Sequence, residues 1–271
     1  MKTQYKKKIV ITGSTGLLGS YFCKKYKKKY KIIKYPYRIE NIKKFNTWIS
    51  NKKFQYLIHF AGISQGKASI LNKINFRSSV NILKSLKKND QIKFFLFIST
   101  SHVYGFSNKK LRENLKTKPI NNYGLSKKKV EDFIIKNRKN FNFKIGIARI
   151  FNITGPKQRK GYFVSDMYYK IARTNFIDNV NCFRDFIHLD DVMSSLDILI
   201  SKKYEKIINI SSGKKVNLIR VCKILNSYYF QKKIKYGSKR GQNLFGDNKL
   251  LKSLGKKKFK NIEKIIKSFK K

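Results

Sequence analysis

Residues 8–19 constrain the fold of this chain more than any other segment, because a strand, a glycine-rich turn and a helix follow one another within them. The segment opens with apolar, β-branched residues, which predict a buried strand. Gly13, Gly16 and Gly19 come next, and apolar residues at helical spacing continue the chain. Backbone N–H groups at the start of a helix in such a unit can cradle a pyrophosphate. A purely structural glycine turn is the alternative that the segment alone leaves open.

The rest of the first half alternates between strand-like and helix-like segments. This alternation predicts a parallel sheet covered by helices on both faces, in which ligands bind beyond the carboxyl ends of the strands. The pattern becomes irregular after about residue 149. We therefore predict a dinucleotide-binding domain of residues 1–150 and a small substrate-binding lobe of residues 151–271, interleaved with it. The predicted strands are 30–35, 56–62, 93–99, 144–149, 186–189 and 207–210, and the predicted helices are 42–51, 69–88, 123–137, 161–174 and 216–229, with a helical, lysine-rich tail at 248–271.

The charge of the chain is extreme, with 64 Lys and Arg against 14 Asp and Glu and a formal net charge of +50. Such a charge predicts either a polyanionic partner or a compositional bias with no specific partner. Lysine is spread along the whole chain, Ile, Asn, Phe and Tyr are also plentiful, and arginine, which reads phosphates and bases in pairs of hydrogen bonds, is scarce. These features favour the compositional interpretation. We therefore expect no specific nucleic-acid partner, only non-specific adhesion at low salt.

The three cysteines, Cys23, Cys182 and Cys222, are far apart and odd in number. They form no plausible disulfide framework, which favours a reducing, cytoplasmic environment. With three histidines in addition, no metal-ligand spacing is present, so we expect no metal. The sequence has no apolar run of 18 residues that could span a membrane, and we expect a soluble protein without a membrane partner.

Tyr123 and Lys127 are four residues apart on one face of a predicted helix. An ammonium group near a phenol lowers the pKa of the phenol, which makes the tyrosine usable as an acid or base near neutral pH. The pair is weak evidence alone in a chain rich in both residues. Upstream, however, the most strongly predicted strand ends at Ser99, Thr100 and Ser101, and hydroxyl groups there can bind the oxygen of a substrate while the tyrosine moves its proton.

In these residues and in further motifs, the chain resembles the extended short-chain dehydrogenase/reductase family of nucleotide-sugar epimerases, dehydratases and reductases. The resemblance covers nearly the whole chain. Its motifs are Thr12-Gly13-x-x-Gly16-x-x-Gly19, His59-x-Ala61-Gly62, Asn75, Ser99-Thr100-x-x-Val103-Tyr104-Gly105, Tyr123-x-x-x-Lys127, Arg149-x-x-Asn152-x-x-Gly155-Pro156, Arg184-Asp185-Phe186-Ile187-His188-x-Asp190-Asp191-Val192, Asn209-Ile210 with Gly213, Arg240-Gly241, Asp247, and Lys249 to Gly255.

The resemblance implies a Rossmann-type doubly wound sheet and a role for each matching residue. Thr100, Tyr123 and Lys127 would be catalytic, with Tyr123 as general acid and base and Lys127 also holding the nicotinamide ribose. The substrate, a nucleoside diphosphate sugar, would be bound by Ser101, His102, Asn152, Arg184 and Arg240. The dinucleotide would be bound by Gly13, Thr15, Gly16, Leu17, Leu18, Gly19, Arg38, Phe60, Ala61, Gly62, Asn75 and Lys127.

Two departures from the family pattern refine this expectation. The 4,6-dehydratases of the family have Asp-Glu after the threonine, where this chain has Ser101 and His102, so we do not expect elimination of water. His102 could be an acid/base or a wall of the pocket. After the second strand the acidic residue of NAD-type enzymes is missing and Arg38 stands in the loop, where it can meet a 2′-phosphate. We therefore favour NADP over NAD.

The expected activity is hydride transfer at a sugar carbon, either as an epimerase or as a 4-ketoreductase in surface polysaccharide biosynthesis, and the family resemblance implies a homodimer. The rival hypothesis is a catalytically inactive relative that senses a cofactor or binds RNA. Such relatives typically lose the tyrosine or the lysine, and this chain keeps Tyr123 and Lys127.

Overall fold

A six-stranded sheet organises the first part of the molecule. We describe it from a computed structural model that covers residues 6–87, 89–156 and 158–269. The pairs that join β1 to β2, β1 to β3 and β3 to β4 are all parallel, which confirms the predicted parallel sheet. The strands are β1 (Lys8–Thr12), β2 (Lys31–Lys34), β3 (Tyr56–His59), β4 (Phe94–Thr100), β5 (Lys144–Ile150) and, later in the chain, β10 (Ile207–Ile210).

The order of the strands across the sheet is β10-β5-β4-β3-β1-β2. From β1 the chain first proceeds to β2 on one side and then returns to add β3, β4, β5 and β10 on the other side. The direction of growth therefore reverses between β1 and β3. In sheets of this kind, ligands bind in the crevice at the carboxyl ends of the strands next to such a reversal, here at Thr12 and His59.

Alternate residues of the strands form the apolar core under one face of the sheet. Val10, Leu57, Phe95 and Ile145 are all fully buried and lie in a single cluster. Fully burying side chains of this size stabilises the fold by roughly 1.5–3 kcal/mol each. The same cluster includes buried residues of three helices, α2 (Ile42–Ser50), α4 (Ser78–Leu86) and α5 (Asn122–Asn137).

The helix predicted at 69–88 is one continuous helical segment with a change of winding in the middle. It consists of α3 (Ala68–Leu71), a π-helix (Asn72–Arg77) and α4. Turns of π-helix are rare and are frequent at functional sites, and this one carries Asn75, which the sequence singled out. The last predicted residue of this helix, Lys88, lies outside the described residues.

The chain divides into two compact units. The first unit contains residues 1–103, 117–148 and 199–207, and the second contains residues 104–116, 149–198 and 208–271. The remaining helices are α1 (Leu17–Tyr26), α6 (Phe163–Arg173), α7 (Leu189–Lys202), α8 (Leu218–Tyr229), α9 (Lys249–Ser253) and α10 (Ile262–Lys267).

In its described residues, the second unit has its own core and three two-stranded sheets. Its core consists of apolar residues of α6, α8 and α10 with neighbouring short strands, among them Ile171, Phe186, Leu225 and Ile266. The helical tail predicted at 248–271 is two short helices separated at Gly255, and Lys270 and Lys271 lie outside the described residues. The short strands are β6 (Asn152–Thr154), β7 (Phe176–Ile177), β8 (Phe183–Arg184), β9 (Phe186–His188), β11 (Val216–Asn217) and β12 (Lys235–Tyr236), paired as β6 with β9, β7 with β12 and β8 with β11.

Within the ranges that the structure describes, no helix is both long and apolar enough to cross a membrane.

Candidate active site

The glycine-rich turn after β1 forms an open helix N-terminus. Gly13 has a φ of 70°, a left-handed conformation that favours glycine. The N–H of Gly16 donates to the carbonyl oxygen of Gly13 at 3.1 Å, and α1 begins at Leu17. Gly16 occupies the N-cap position and has no side chain that could bond the first N–H groups of the helix. Those groups can therefore bind an anion.

Close backbone contacts fix this turn against its neighbours. A Cβ atom built on Gly13 would lie 2.6 Å from the backbone nitrogen of Ala61, and one built on Gly19 would overlap the carbonyl oxygen of Gly13. A Cβ atom on Gly16, in contrast, would come no closer than 3.5 Å to that oxygen. Gly13 and Gly19 are therefore required by packing, whereas Gly16 leaves space on the exposed side of the turn.

The segment after β3 lies next to the glycine turn and to the predicted catalytic lysine. The Phe60 ring packs on Phe22 of α1, with the ring centroids 5.7 Å apart. A Cβ atom on Gly62 would lie 2.9 Å from Oδ1 of Asn75 and 3.3 Å from Nζ of Lys127. The structure thus brings Gly13, Gly62, Asn75 and Lys127 to one edge of the sheet.

Asn75 joins three segments of the first unit through its side-chain amide. Its Oδ1 accepts from the N–H of Ile63 at 2.9 Å, and its Nδ2 donates to the carbonyl oxygen of Ile63 at 2.8 Å. Nδ2 also donates to Oγ of Ser126 at 2.9 Å, and Ser126 donates in turn to the carbonyl oxygen of Tyr123 at 2.8 Å. Every polar group of this buried amide is therefore used to hold the loop after β3 against helix α5.

A chain of buried hydrogen bonds runs from the end of β1 to Asn75 through His59. Ser79 donates to the carbonyl oxygen of Asn75 at 2.6 Å, so its oxygen accepts from Nε2–H of His59 at 2.9 Å. Nδ1 of His59 is then an acceptor for the hydroxyl of Thr12 at 2.8 Å. Burial, and secondly the charge of Lys127, lowers the pKa of His59 to about 3. His59 is thus a neutral bracing residue and takes no part as a proton carrier near neutral pH.

Lys127 is a buried ammonium group at the centre of this site. Its side chain is 3% exposed, Nζ donates to the carbonyl oxygen of Ile98 in β4 at 2.9 Å, and Nζ lies 4.8 Å from the centroid of the Phe97 ring. Burial lowers the pKa of Lys127 to about 8, while the carboxylate of Glu131 acts in the opposite direction. An ammonium group at this position is well suited to stabilise a phenolate and to donate hydrogen bonds to ribose hydroxyl oxygens.

Glu131 is a member of the site that the sequence analysis missed. It is 1% exposed, lies one helical turn after Lys127 on α5, and accepts a hydrogen bond from the hydroxyl of Ser99. Its charge keeps Lys127 more fully protonated than burial alone would allow. The signal was present in the sequence as a carboxylate four residues after the lysine, a spacing that places the two on one helix face.

Tyr123, Thr100 and His102 lie together at the end of β4 and the start of α5. The rings of Tyr123 and His102 meet edge to face, with their centroids 5.8 Å apart. Thr100 is buried, and its Oγ1 accepts from the N–H of His102 at 3.3 Å. This contact leaves the hydroxyl hydrogen of Thr100 as a donor for an oxygen atom. Ser101, between them, is also buried.

The other predicted dinucleotide-binding residues lie around the glycine turn or after β2. Thr15 is exposed, and Leu17 and Leu18 in the first turn of α1 are partly buried. Arg38 is exposed in the loop that follows β2, and its carbonyl oxygen accepts from the N–H of Asn41 at 3.3 Å. The guanidinium of Arg38 therefore remains at the surface beyond the second strand.

The three predicted phosphate-binding residues Asn152, Arg184 and Arg240 belong to the second unit. Nδ2 of Asn152 donates to the carbonyl oxygen of Asp185 at 2.9 Å. The guanidinium of Arg184 donates to the carbonyl oxygens of Phe183, at 3.1 Å, and of Gln242, and its burial lowers its pKa. Arg240 is exposed. Asn152 and Arg184 thus already contact the backbone, and Arg240 presents its charge to solvent.

Asp185, beside Arg184, is a buried carboxylate of the second unit that accepts several hydrogen bonds. It is fully buried and accepts from the N–H and hydroxyl of Ser212, at 2.9 and 2.8 Å, and from the N–H of Gly213 at 2.9 Å. Burial raises the pKa of Asp185 to about 7 in spite of these donors. Because Ser212 donates to its Oδ1 and Gly213 to its Oδ2, we assign Asp185 a structural role.

In the part of the chain that is described, no group of three or more His, Cys, Asp or Glu side chains could hold a metal ion.

Comparison with known proteins identifies the family. The sequence model of the NAD dependent epimerase/dehydratase family matches residues 9–211, which include the glycine turn, Tyr123 and Lys127. The chain belongs to the NAD dependent epimerase/dehydratase family. This membership confirms the resemblance and the Rossmann-type fold class expected from the sequence.

Individual members of the family differ in activity. The chain is 26% identical over 234 residues to the GDP-6-deoxy-D-talose 4-dehydrogenase of Aggregatibacter actinomycetemcomitans, covering 80% of this chain and 79% of that protein. It is similar in structure to RMD from Pseudomonas aeruginosa complexed with NADPH, with a TM-score of 0.85, 21% identity and 97% of each chain covered. The UDP-glucuronic acid 4-epimerase from Bacillus cereus in complex with NAD gives a TM-score of 0.85 at 20% identity, with 96% of each chain covered. The two structural matches show the fold.

Proposed function

We propose that this protein is a nicotinamide-dependent enzyme that transfers hydride at a carbon of a nucleotide-linked sugar, as an epimerase or as a 4-ketoreductase. The main support for this proposal is the burial of an ammonium group next to the segment that follows β3. A buried lysine, Lys127, with a pKa lowered to about 8, lies beside the glycine at Gly62 and one helical turn after Tyr123. Burial of a charge is unfavourable, which favours a functional role for Lys127 beyond its hydrogen bond to the carbonyl oxygen of Ile98.

The residues at the edge of the sheet fit a dinucleotide. The N–H groups at the start of α1 would hold the pyrophosphate where Gly16 leaves space. Lys127 would hold the nicotinamide ribose, next to the loop that Asn75 fixes. When bound, the nicotinamide ring supplies or accepts the hydride. Tyr123 would move the proton of the sugar hydroxyl, and Thr100 would donate a hydrogen bond to the same oxygen.

The substrate class rests on the family and on its relatives. The name of the Aggregatibacter relative includes a GDP-linked 6-deoxy sugar, and Asn152, Arg184 and Arg240 are the positions we assign to the nucleoside diphosphate. The fork of an arginine guanidinium suits paired phosphate oxygens. We do not propose elimination of water, because Ser101 and His102 stand where the 4,6-dehydratases have Asp-Glu.

For the cofactor we favour NADP, because Arg38 is exposed directly after β2, where a guanidinium can meet a 2′-phosphate. The neighbours include complexes with NADPH and with NAD, so the family fold accepts either dinucleotide. We further propose a homodimer that works in the cytoplasm, in the biosynthesis of nucleotide sugars for surface polysaccharides.

Thermal unfolding with a panel of ligands tests this proposal. A ligand that binds only the folded state raises the unfolding midpoint, so one dinucleotide and one of the UDP-, GDP-, CDP- or dTDP-sugars should each raise it. Because the chain carries a net charge of +50, inorganic tripolyphosphate at the same concentration is the control for non-specific anion binding. If no dinucleotide raises the midpoint above that control, the proposed function is wrong.

The cofactor assignment has its own test. Arg38→Ala should reduce the rise in the unfolding midpoint caused by NADP and leave the rise caused by NAD unchanged. The matched control is Arg173→Ala, because Arg173 is an exposed arginine at the end of α6. An equal loss of the midpoint shift for both dinucleotides would contradict the role of Arg38.

Gel filtration separates the epimerase from the reductase alternative. An epimerase must keep its cofactor whereas a reductase must exchange it, so NAD retained through gel filtration would contradict the reductase alternative.

A further inference from the structure

The backbone of His102 is fixed on both sides by the end of β4 and the start of α5. Its N–H donates to Oγ1 of Thr100 at 3.3 Å, and its carbonyl oxygen accepts from the N–H of Ile120 at 3.1 Å. A Cβ atom on Gly124, in the first turn of α5, would overlap that carbonyl oxygen. The imidazole therefore projects from a rigid position beside Tyr123, whose ring it meets edge to face.

The side chain of Asn121 determines which nitrogen of His102 carries the proton. Asn121 is the N-cap of α5, and its Oδ1 accepts from the N–H of Gly124 at 2.8 Å. Only an oxygen can accept this hydrogen bond, so the amide cannot be turned over without loss of the cap. The Nδ2 group, which can only donate, then lies 3.1 Å from Nδ1 of His102. Nδ1 must accept, and the imidazole proton is on Nε2.

This arrangement disfavours both other forms of the imidazole. In the imidazolium ion and in the Nδ1–H tautomer, an N–H group of His102 would face the N–H of Asn121, and one donor would lose its partner. The N-terminal end of α5 also carries partial positive charge, which disfavours a cation near it. The choice of tautomer thus follows from the cap of a helix whose second residue is Tyr123.

We propose that Asn121 is a positioning residue that keeps His102 neutral, with its proton on Nε2. In this form His102 donates a hydrogen bond to a sugar oxygen beside Tyr123. It does not act as a base that removes a proton from a sugar carbon. The proposal deepens the proposed function and rests on it for the nature of the substrate. As a chemical consequence, Tyr123 carries the proton of the sugar hydroxyl. The configuration at the sugar carbon then changes only through hydride transfer, without removal of a proton from carbon.

Nitrogen NMR of protein labelled with ¹⁵N-histidine tests the tautomer without any substrate. The chain has three histidines, and long-range ¹H–¹⁵N correlation spectra distinguish a protonated nitrogen from an unprotonated one. His102→Gln assigns the His102 signals. In the wild-type protein at pH 8 we expect the proton of His102 on Nε2, and a protonated Nδ1 would overturn the proposal.

Asn121→Asp is the decisive variant because a carboxylate can still accept from the N–H of Gly124 while its second oxygen faces Nδ1 of His102. We expect this variant to place a proton on Nδ1 of His102 and to leave the signals of His59 and His188 unchanged. Asn41→Asp is the matched control, since Asn41 caps α2 by the same hydrogen bond, to the N–H of Lys44 at 3.0 Å. A folded Asn121→Asp protein with an unchanged His102 would contradict the proposal. If this variant does not fold, the wild-type spectrum still decides.

Kinetics of two His102 variants separate a donor from a base. Glutamine can donate a hydrogen bond but cannot act as a base, so His102→Gln should stay within about tenfold of wild-type turnover, whereas His102→Leu should lose on the order of a hundredfold. Equal losses of about a hundredfold or more in both variants would indicate a base and overturn the proposal. Absence of turnover in the wild type would count against the proposed function and leave the NMR result standing.

Discussion

The amide of Asn75 donates a hydrogen bond to the hydroxyl of Ser126, 2.9 Å away, and this contact connects the π-helix to helix α5. Ser126 lies between Tyr123 and Lys127 in the sequence and donates to the carbonyl oxygen of Tyr123. The helix that carries the proposed acid and the lysine is therefore held against the loop after β3 by one buried amide. The position of the two reactive groups depends on Asn75 even though Asn75 has no acid–base chemistry of its own.

Asn75→Ala should destabilise the protein, because it leaves the buried polar groups of Ile63 and Ser126 without their partner. The loss of free energy of unfolding should be about 1–3 kcal/mol, the scale for an unsatisfied buried group. Urea denaturation measures it. Asn72→Ala, in the same π-helix but at a partly exposed position, is the control and should change stability by less than about 0.5 kcal/mol. If the two substitutions lowered the free energy of unfolding equally, the hydrogen bonds of Asn75 would have no special role in stability.

Substitution of two glycines by alanine should separate folding from cofactor binding. Gly19→Ala forces a methyl group onto the carbonyl oxygen of Gly13 and should lower stability by about 1–3 kcal/mol. Gly16→Ala has space within the protein, with 3.5 Å to the nearest atom, so it should fold normally. Its methyl group should nevertheless reduce the midpoint shift caused by a dinucleotide. Thermal unfolding with and without the dinucleotide checks both, and an unreduced shift in Gly16→Ala would contradict the proposed pyrophosphate position.

The buried Lys127 should make the stability of the protein depend on pH in the alkaline range. Its pKa is about 8 in the folded protein against an ordinary value of 10.5, so between these values the unfolded state binds more protons. Folding stability from this group therefore rises as the pH increases from 8 to 10.5, by up to roughly 3 kcal/mol. Below pH 8 the unfavourable burial of the ammonium group is fully present.

Comparison of the wild type with Lys127→Met isolates this contribution, because the other lysines titrate in both proteins. The wild type should gain stability relative to the variant as the pH rises from 8 to 10.5, as measured by chemical denaturation. Lys129→Met, an exposed residue on the same helix, should show no such change. A constant difference between wild type and Lys127→Met over this range would mean that the pKa of Lys127 is not lowered by burial.

Much of the fold could be predicted from the sequence because its signals are local. The strand that ends at Thr12, the helix α2 and the strand β4 all follow from the apolar pattern and the position of glycines. The proposed catalytic pair, Tyr123 and Lys127, could be located for the same reason, since four residues of a helix fix their spacing. These assignments need no knowledge of distant contacts.

The parts that could not be predicted depend on pairing between distant residues. The short strands β8 and β11 pair Arg184 with Val216, and two-residue strands carry too little pattern to show it. The side chain of Asn75, in the π-helix, contacts Ile63 and Ser126, and the proposed tautomer of His102 depends on an N-cap 19 residues later. The sequence predicts a helix at 123–137, but only the folded chain shows that its N-cap is Asn121 and that the amide nitrogen of Asn121 faces His102.

The turnover of Tyr123→Phe tests the proposed mechanism most directly. The substrate is the nucleotide sugar that raises the unfolding midpoint, and turnover is followed by the sugar product and the redox state of the nicotinamide. Loss of the phenol hydroxyl should reduce turnover by about a hundredfold or more, while the dinucleotide still raises the midpoint as in the wild type. Tyr169→Phe, an exposed tyrosine of α6, should behave as the wild type. Unchanged turnover in Tyr123→Phe would contradict the proposed mechanism.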